Sequence, residues 1–131
     1  MKIYILVFLS FCFTVFPVCK KDTTMDYIIN LHIEGRITYS HTNKPVANCE
    51  IELWREGGTL FPTYFLYQTE SDEDGRYVIR RKTNTRKHCV GGYLTLRVYT
   101  GKKFRWSSDP LDQYIACTEE LQIFNIEIDP L

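Results

Sequence analysis

Short segments in which apolar and polar residues alternate recur along this chain, and they constrain its fold more than any other feature. Nearly every second residue is apolar within 29–40, and the pattern returns at 49–55, 64–69, 76–80, 94–99 and 121–129. Successive side chains of a β-strand point to opposite faces, so each segment is predicted to be a half-buried strand. No segment longer than ten residues shows a convincing helical period.

Turn signals separate these segments. Residues 43–45 (Asn-Lys-Pro) end the first strand, and a loop is predicted from Gly57 to Pro62. Residues 72–75 (Asp-Glu-Asp-Gly) are predicted to form a hairpin turn, because Asp-Gly tolerates positive φ. Gly35 interrupts the first strand, which indicates a bulge or a close backbone approach.

The strand count predicts the fold class. Residues 82–92 are polar and are expected to form a loop. Six clear strands, with a seventh near 103–107 or 113–117, favour an all-β antiparallel sandwich in one domain, 27–131.

The first residues have the character of an export signal. Lys2 precedes 16 uncharged residues, 3–18, and Lys20 and Lys21 follow them. A membrane-spanning helix needs about 20 apolar residues, so this shorter run favours a removable secretory signal over 1–18. A single-span anchor is the alternative.

The end of the apolar run carries a resemblance. The sequence FPVCKKDTT around Cys19 resembles the lipoprotein signal of Bacteroidetes-type bacteria, although Val18 stands where Gly, Ala or Ser is usual. The resemblance implies that Cys19 receives the lipid and begins the mature chain, with 19–26 as a polar tether. It also implies a lipid-anchored protein of the cell envelope, in the outer rather than the inner membrane. The alternatives are lipidation at Cys12 or an ordinary Cys19 thiol.

A second resemblance covers residues 31–80. Gly35-Arg36-Ile37-Thr38, then Lys44-Pro45-Val46-Ala47-Asn48, and later Thr69 to Tyr77 with its Asp74-Gly75 turn are similar to carboxypeptidase regulatory-like, or transthyretin-like, domains. The resemblance implies a Greek-key, prealbumin-like sandwich of about seven strands. Such domains usually accompany other proteins without catalysing a reaction, so it also implies that the chain is not an enzyme.

Composition and motifs exclude several classes of function. Lys plus Arg and Asp plus Glu each number 16, which gives no electrostatic case for nucleic-acid binding. No nucleophile motif is present, so no catalytic residue and no cofactor are predicted. The tail Ile128-Asp129-Pro130-Leu131 lacks the Tyr-Arg-Gly-Ser ending of transthyretin relatives that hydrolyse 5-hydroxyisourate. That hydrolase activity remains only a remote alternative.

Metal binding is not expected. The three histidines, His32, His41 and His88, lack the spacing of a metal site, and a zinc site needs three or four convergent ligands. The acidic residues of 72–74 could offer oxygens to calcium, but they are expected to form a solvated turn.

The remaining cysteines divide into a core thiol and a disulfide. Cys49 shares the apolar face of Ile51 and Leu53, which predicts a buried thiol. Cys89 and Cys117 fall in loops of an exported chain and are predicted to pair. The alternatives are two free thiols or another pairing.

Aromatic residues offer the clearest hint of binding. Trp54 and Trp106 could stack against a ligand, or they could pack within the sandwich. The resulting prediction is a membrane-tethered, non-enzymatic binding or accessory module with an envelope protein as its partner. The alternative is a surface lipoprotein that binds glycan through these aromatic residues.

Overall fold

The computed structural model describes residues 27–109 and 113–131. In these residues two four-stranded sheets form an all-β sandwich, as expected, with strand orders β4-β1-β7 (β8 also pairs with β1) and β3-β2-β5-β6. The elements are β1 (Ile28–Tyr39), β2 (Cys49–Glu56), β3 (Tyr64–Glu70), β4 (Arg76–Asn84), α1 (Thr85–Cys89), β5 (Tyr93–Thr100), β6 (Lys103–Ser107), β7 (Leu121–Ile123) and β8 (Ile126–Ile128).

The core lies between the sheets and follows the period-two pattern. On β2 the alternate residues Cys49, Ile51, Leu53 and Arg55 are all buried. The first three are packed with apolar residues of β1, β4 and β5, and Cys49 is a free buried thiol, as predicted. Burial raises the pKa of the Cys49 thiol. Arg55 is therefore a cation at the end of an otherwise apolar series.

The turn at 72–75 forms, but it does not join partners in one sheet. The Asp72 carboxylate accepts hydrogen bonds from the backbone N–H groups of Asp74 and Arg76, each at 2.9 Å. β3 pairs with β2, however, while β4 pairs with β1. The hairpin prediction is wrong in this respect, because local turn chemistry does not decide which strand becomes the hydrogen-bonded neighbour.

The C-terminal segment also differs from the expected single antiparallel strand. It divides into β7 and β8, and both pair with β1 in parallel. Between them the Phe124 carbonyl crosses so close to Gly35 that a Cβ there would lie 1.8 Å from its oxygen. Of the two possibilities predicted for Gly35, a bulge or a close backbone approach, the structure shows the close approach, which explains why this position takes no side chain.

Residues 82–92 are not simply a loop. β4 continues to Asn84, whose side chain accepts a hydrogen bond from the Lys87 N–H at 2.9 Å and so caps α1. The Thr85 N–H donates to the Tyr27 carbonyl at 2.9 Å, which places the start of the described domain beside α1. We call this part of the sandwich, with α1 and residues 57–63, the α1 end.

Strand pairing decides between the two segments predicted as a possible seventh strand. The strand expected near 103–107 is β6, whereas 113–117 contributes an isolated bridge between Leu94 and Ile115. In the part of the chain that the structure describes, no helix has the length and apolar character needed to cross a bilayer.

Candidate functional site: a buried arginine at the α1 end

Arg55 is the residue around which the α1 end is organised. It is only 3% exposed. Its guanidinium donates to the carbonyl of Pro62 at 2.7 Å and to that of Val90 at 2.8 Å. The rings of Phe61 and Tyr64 each lie 5.6 Å from its Cζ, within cation–π range. The cation is thus held by neutral groups alone, and its Nε donor has no hydrogen-bond partner.

No carboxylate neutralises this guanidinium within residues 27–109 and 113–131. The salt bridge found there joins Arg97 to Glu56, and a hydrogen bond joins His32 to Glu34. Buried charges in proteins are normally paired, because desolvation without a counter-charge is costly. Arg55 therefore creates a positive potential at this end of the core that the described chain leaves uncompensated.

A cavity of 430 Å³ opens beside this guanidinium. That volume lies within the range of about 300–1,000 Å³ typical of small-molecule sites. Its lining is largely apolar, with cationic side chains at the edge. The lining residues are Arg55, Phe61, Pro62, Tyr64, Arg86, Lys87 and Val90. Tyr64 donates its hydroxyl hydrogen to the Lys87 carbonyl at 2.9 Å, which ties the aromatic wall to α1.

A glycine makes room for the buried arginine. A Cβ at Gly92 would lie 3.0 Å from the Arg55 Cζ and 2.3 Å from the Glu56 carbonyl oxygen. Sequence analysis missed this site, although two signals were present. Arg55 continues the core-facing series of β2, and the Gly91-Gly92 pair lies where the chain must pass close to it.

His88 and the disulfide complete this end of the molecule. The His88 Nδ1 atom is buried without a hydrogen-bond partner. Burial, together with the nearby charges of Lys87, Arg81 and Arg55, lowers the pKa of the imidazole, so the ring is neutral at pH 7. The expected disulfide between Cys89 and Cys117 is present, with Cα atoms 6.3 Å apart, and it holds the C-terminus of α1 to the segment before β7.

The outer face of the β3-β2-β5-β6 sheet holds a second arginine with different surroundings. Arg97 donates to Glu56 and lies over the Trp54 ring, 4.2 Å from its centroid. Burial disfavours the charged Glu56 carboxylate, but hydrogen bonds from Arg97, Thr95 and Thr63 and the Arg97 charge lower its pKa overall. A larger cavity of 670 Å³ borders this pair. Here the charges are already matched within the chain.

The two tryptophans predicted to stack with a ligand lie in separate surroundings. Arg97 covers one face of Trp54, whose ring also makes an edge contact with Phe65 at 5.8 Å. Its indole N–H donates to Glu52 at 2.6 Å. Trp106 packs against the core and lines a different cavity. The two tryptophans therefore lie at separate places, and ligand stacking at either one stays a prediction.

The remaining sequence features are the lipidation signal, the candidate metal ligands and the acidic turn at 72–74. Cys19, the signal at 1–18 and the tether at 19–26 lie outside the described residues and stay predictions. No group of three or more His, Cys, Asp or Glu side chains in residues 27–109 and 113–131 is placed to share a metal ion. The Asp72 carboxylate is engaged by the backbone of its own turn.

Comparison with known proteins finds similar folds among solved structures only. No family model matches the sequence, and no curated protein matches it. A 9R-lipoxygenase from Cyanothece PCC8801 is similar with a TM-score of 0.56 and 20% identity over 75% of this chain, which spans only 16% of that enzyme. An intradiol ring-cleavage dioxygenase from Tetranychus urticae has a TM-score of 0.53, 13% identity and coverage of 82% of this chain and 84% of its own.

A third structure is similar in the same way. The dioxygenase domain of a dioxygenase carbohydrate-binding protein fusion from Streptomyces sp. SirexAA-E has a TM-score of 0.51 and 14% identity, and the match covers 83% of this chain and 85% of that one. At such identities the likeness shows the fold alone.

These neighbours correct the functional prediction. A non-enzymatic accessory module was expected because the resemblance implied a sandwich that usually lacks activity, and a glycan-binding module was the alternative suggested by Trp54 and Trp106. That prediction is wrong, since proteins that share this fold include named dioxygenases. Dioxygen chemistry depends on a metal or an organic cofactor, and no three His, Cys, Asp or Glu side chains of the described residues are placed to share a metal ion. No oxygenase step is therefore derived for this chain.

Proposed function

We propose that the α1 end binds a small amphipathic anion, with a carboxylate or phosphate head and an apolar body. The observation that carries the proposal is Arg55, a buried guanidinium that no carboxylate of the described residues neutralises. An anion at this point would supply the missing counter-charge. The cavity beside Arg55 is where such a group has access to it.

The cavity suits both parts of such a ligand. Arg86 and Lys87 are exposed at its edge and can donate charge-assisted hydrogen bonds to oxygens of the head group. Phe61, Tyr64 and Val90 offer apolar surface to the body. Because Arg55 is already fixed by two carbonyls and two rings, the positive charge is in place before the ligand arrives.

Calorimetry with three probes tests this proposal. Octanoate carries both a head and a body, octanol lacks the charge, and acetate lacks the body. We expect octanoate to bind and the other two to bind at least about tenfold more weakly, since each loses one of the two contacts. The core residues all lie between Leu31 and Ile128, so a chain begun at residue 27 keeps them.

Matched variants locate the binding. Lys87→Gln should weaken octanoate binding about tenfold through loss of one charge-assisted hydrogen bond. Lys102→Gln, a change of the same type at the opposite end of the sandwich, should leave it unchanged. Equal binding of octanoate and octanol, or equal effects of the two substitutions, would contradict the proposal and leave Arg55 as a purely structural clamp.

The cellular address is a separate proposal that depends on sequence. We propose cleavage before Cys19 and lipid attachment there, which would place the domain at the cell envelope, in the outer membrane. The mass of the intact protein extracted from its own membranes tests this. An acylated chain that begins at Cys19 supports it, and an uncleaved chain would mean that residues 3–18 act as an anchor.

A further inference from the structure

We propose that the α1 end docks on the surface of an anionic lipid bilayer. This inference builds on the proposed anion site by naming the source of the anion, a lipid headgroup. It is carried by the point at which residues 1–26 join the domain, by exposed apolar side chains there, and by cations without ion-pair partners. Each of these observations concerns the same end of the sandwich.

The chain enters the domain at this end. The Tyr27 carbonyl accepts a hydrogen bond from Thr85, the first residue of α1. In the sequence, the 16 uncharged residues 3–18 precede this point by only eight residues, 19–26. Eight residues span at most about 29 Å. Any attachment to a bilayer through the N-terminal region therefore keeps the α1 end, rather than the opposite end, close to the headgroups.

Exposed apolar side chains cluster around the cavity mouth. Leu60 is 86% exposed, Val90 60% and Phe61 48%, and Ile28 at the start of β1 is 67% exposed. Phe61 and Val90 line the cavity itself. Apolar groups of this size in contact with water are characteristic of interaction surfaces, and those that insert at a membrane interface are typically accompanied by Lys and Arg.

The cations at this end are available to headgroups. Arg81, Lys82, Arg86 and Lys87 are all exposed, and none forms an ion pair with a described residue. Of the nearby acidic groups, Glu56 is paired with Arg97. Glu119 accepts a hydrogen bond from the Asn30 N–H at 3.1 Å and lines a cavity with Arg81 and Lys82, without an ion pair to either. Apolar side chains surrounded by unpaired cations match the acyl and phosphate layers of an anionic bilayer.

The opposite end lacks the cavity beside Arg55 and supplies the control. Lys102 and Lys103 are exposed there, and residues 41–45 are an exposed polar turn. Phe104 (54% exposed) and Leu131 (86% exposed) also lie toward this end, but neither lines the cavity beside Arg55. A bilayer attracted by charge alone would not distinguish the two ends, whereas the proposed docking does.

Hydrogen exchange of the full chain in vesicles tests the inference. The vesicles are phosphatidylcholine with or without phosphatidylglycerol, and exchange is followed at 57–63 and 84–92 against 41–45 and 101–103. We expect slower exchange at the first two segments only when phosphatidylglycerol is present. Joint Arg86→Gln and Lys87→Gln substitution should weaken docking roughly 30-fold, because each cation near an anionic surface contributes about 1 kcal/mol. Joint Lys102→Gln and Lys103→Gln substitution should change nothing.

Several outcomes would overturn the inference. Exchange that is slowed equally without phosphatidylglycerol would show that docking does not depend on headgroup charge. Exchange that is slowed equally in both double variants would show that it does not depend on Arg86 and Lys87. If, without vesicles, the full chain exchanges more slowly at these segments than the chain begun at residue 27, the chain's own apolar segment covers this end. If octanoate binds in solution but vesicles slow nothing, the anion site stands and membrane docking fails. If vesicles dock but octanoate does not bind, the small-ligand proposal fails alone.

Discussion

Arg55 and Arg97 belong to neighbouring strands of one sheet, yet the molecule treats their charges differently. Both guanidiniums lie against aromatic rings, Arg55 between Phe61 and Tyr64 and Arg97 over Trp54. Arg97 has the Glu56 carboxylate as its partner, whereas Arg55 has only two carbonyl oxygens. The charge of Arg97 is therefore matched by a carboxylate of the described chain, and the charge of Arg55 is not.

The comparison shows that the larger cavity is not the better candidate. The 670 Å³ cavity borders a carboxylate and a guanidinium that already satisfy each other. A ligand there would have to compete with this pair. The smaller cavity at the α1 end adjoins the Arg55 guanidinium, which has no carboxylate partner within the described chain. The following predictions test this difference between the two arginines.

The largest effect is expected from the disulfide that supports the α1 end. Joint replacement of Cys89 and Cys117 by Ser opens a loop with a sequence separation of 28. We expect a loss of about 3 kcal/mol in the free energy of unfolding, since the loop then gains freedom in the unfolded chain. Urea denaturation measures it. Octanoate binding should weaken as well, whereas the Trp54 fluorescence of the folded protein should stay unchanged.

Replacement of the buried arginine should come next. Arg55→Gln removes the donors to the Pro62 and Val90 carbonyls, and we expect it to cost about 2 kcal/mol of stability. Urea denaturation again gives the value. If Arg55→Gln costs no more than Arg97→Gln, the buried guanidinium is not the organising residue of the α1 end.

The half-buried pair of Arg97 and Glu56 should contribute less. A double-mutant cycle of Arg97→Gln and Glu56→Gln should give a coupling energy of about 0.5–1 kcal/mol, because both side chains are partly solvated. The coupling should shrink in high salt. A coupling energy larger than the loss of stability measured for Arg55→Gln would reverse the comparison between the two regions.

The smallest effect concerns pH and the neutral imidazole at the α1 end. Because the folded-state pKa of His88 is below its ordinary value of 6.5, the unfolded chain takes up a proton first as the pH falls. The folded protein should therefore lose stability as the pH drops through 6.5 toward that lower pKa. Thermal unfolding of the native chain and of His88→Gln measures the difference. A native chain that gains stability relative to His88→Gln in this window would contradict the sign of the shift.

Strand positions were predictable, but strand partners were not. The alternation at 49–55 and 94–99 gave β2 and β5 nearly to the residue, because period two depends only on which side chains face the core. The same alternation at 76–80 did not reveal that β4 leaves the sheet of β3. Nor did 121–129 reveal parallel pairing with β1. A strand's side-chain pattern is the same whichever neighbour it has and whichever direction that neighbour runs.

The candidate site shows the same division. Trp54 was selected from sequence because large aromatic side chains often bind ligands, but Arg97 and Phe65 cover it in the folded protein. Arg55 was not predicted as a site residue, because an arginine at the end of a strand is ordinarily solvated. Its burial depends on residues 61–64 and 90–92, which approach it only after the chain has folded.

The sequence by itself predicted an all-β sandwich, a buried Cys49 and the pairing of Cys89 with Cys117, and at Gly35 it predicted a bulge or a close approach. These features follow from alternation, residue type and spacing, all of which are local or nearly so. Only the tertiary structure decided where the charges of Arg55 and Arg97 are matched and which end of the sandwich residues 1–26 join. Desolvation and pairing of a charge depend on groups distant in sequence, and these meet only when the two sheets pack.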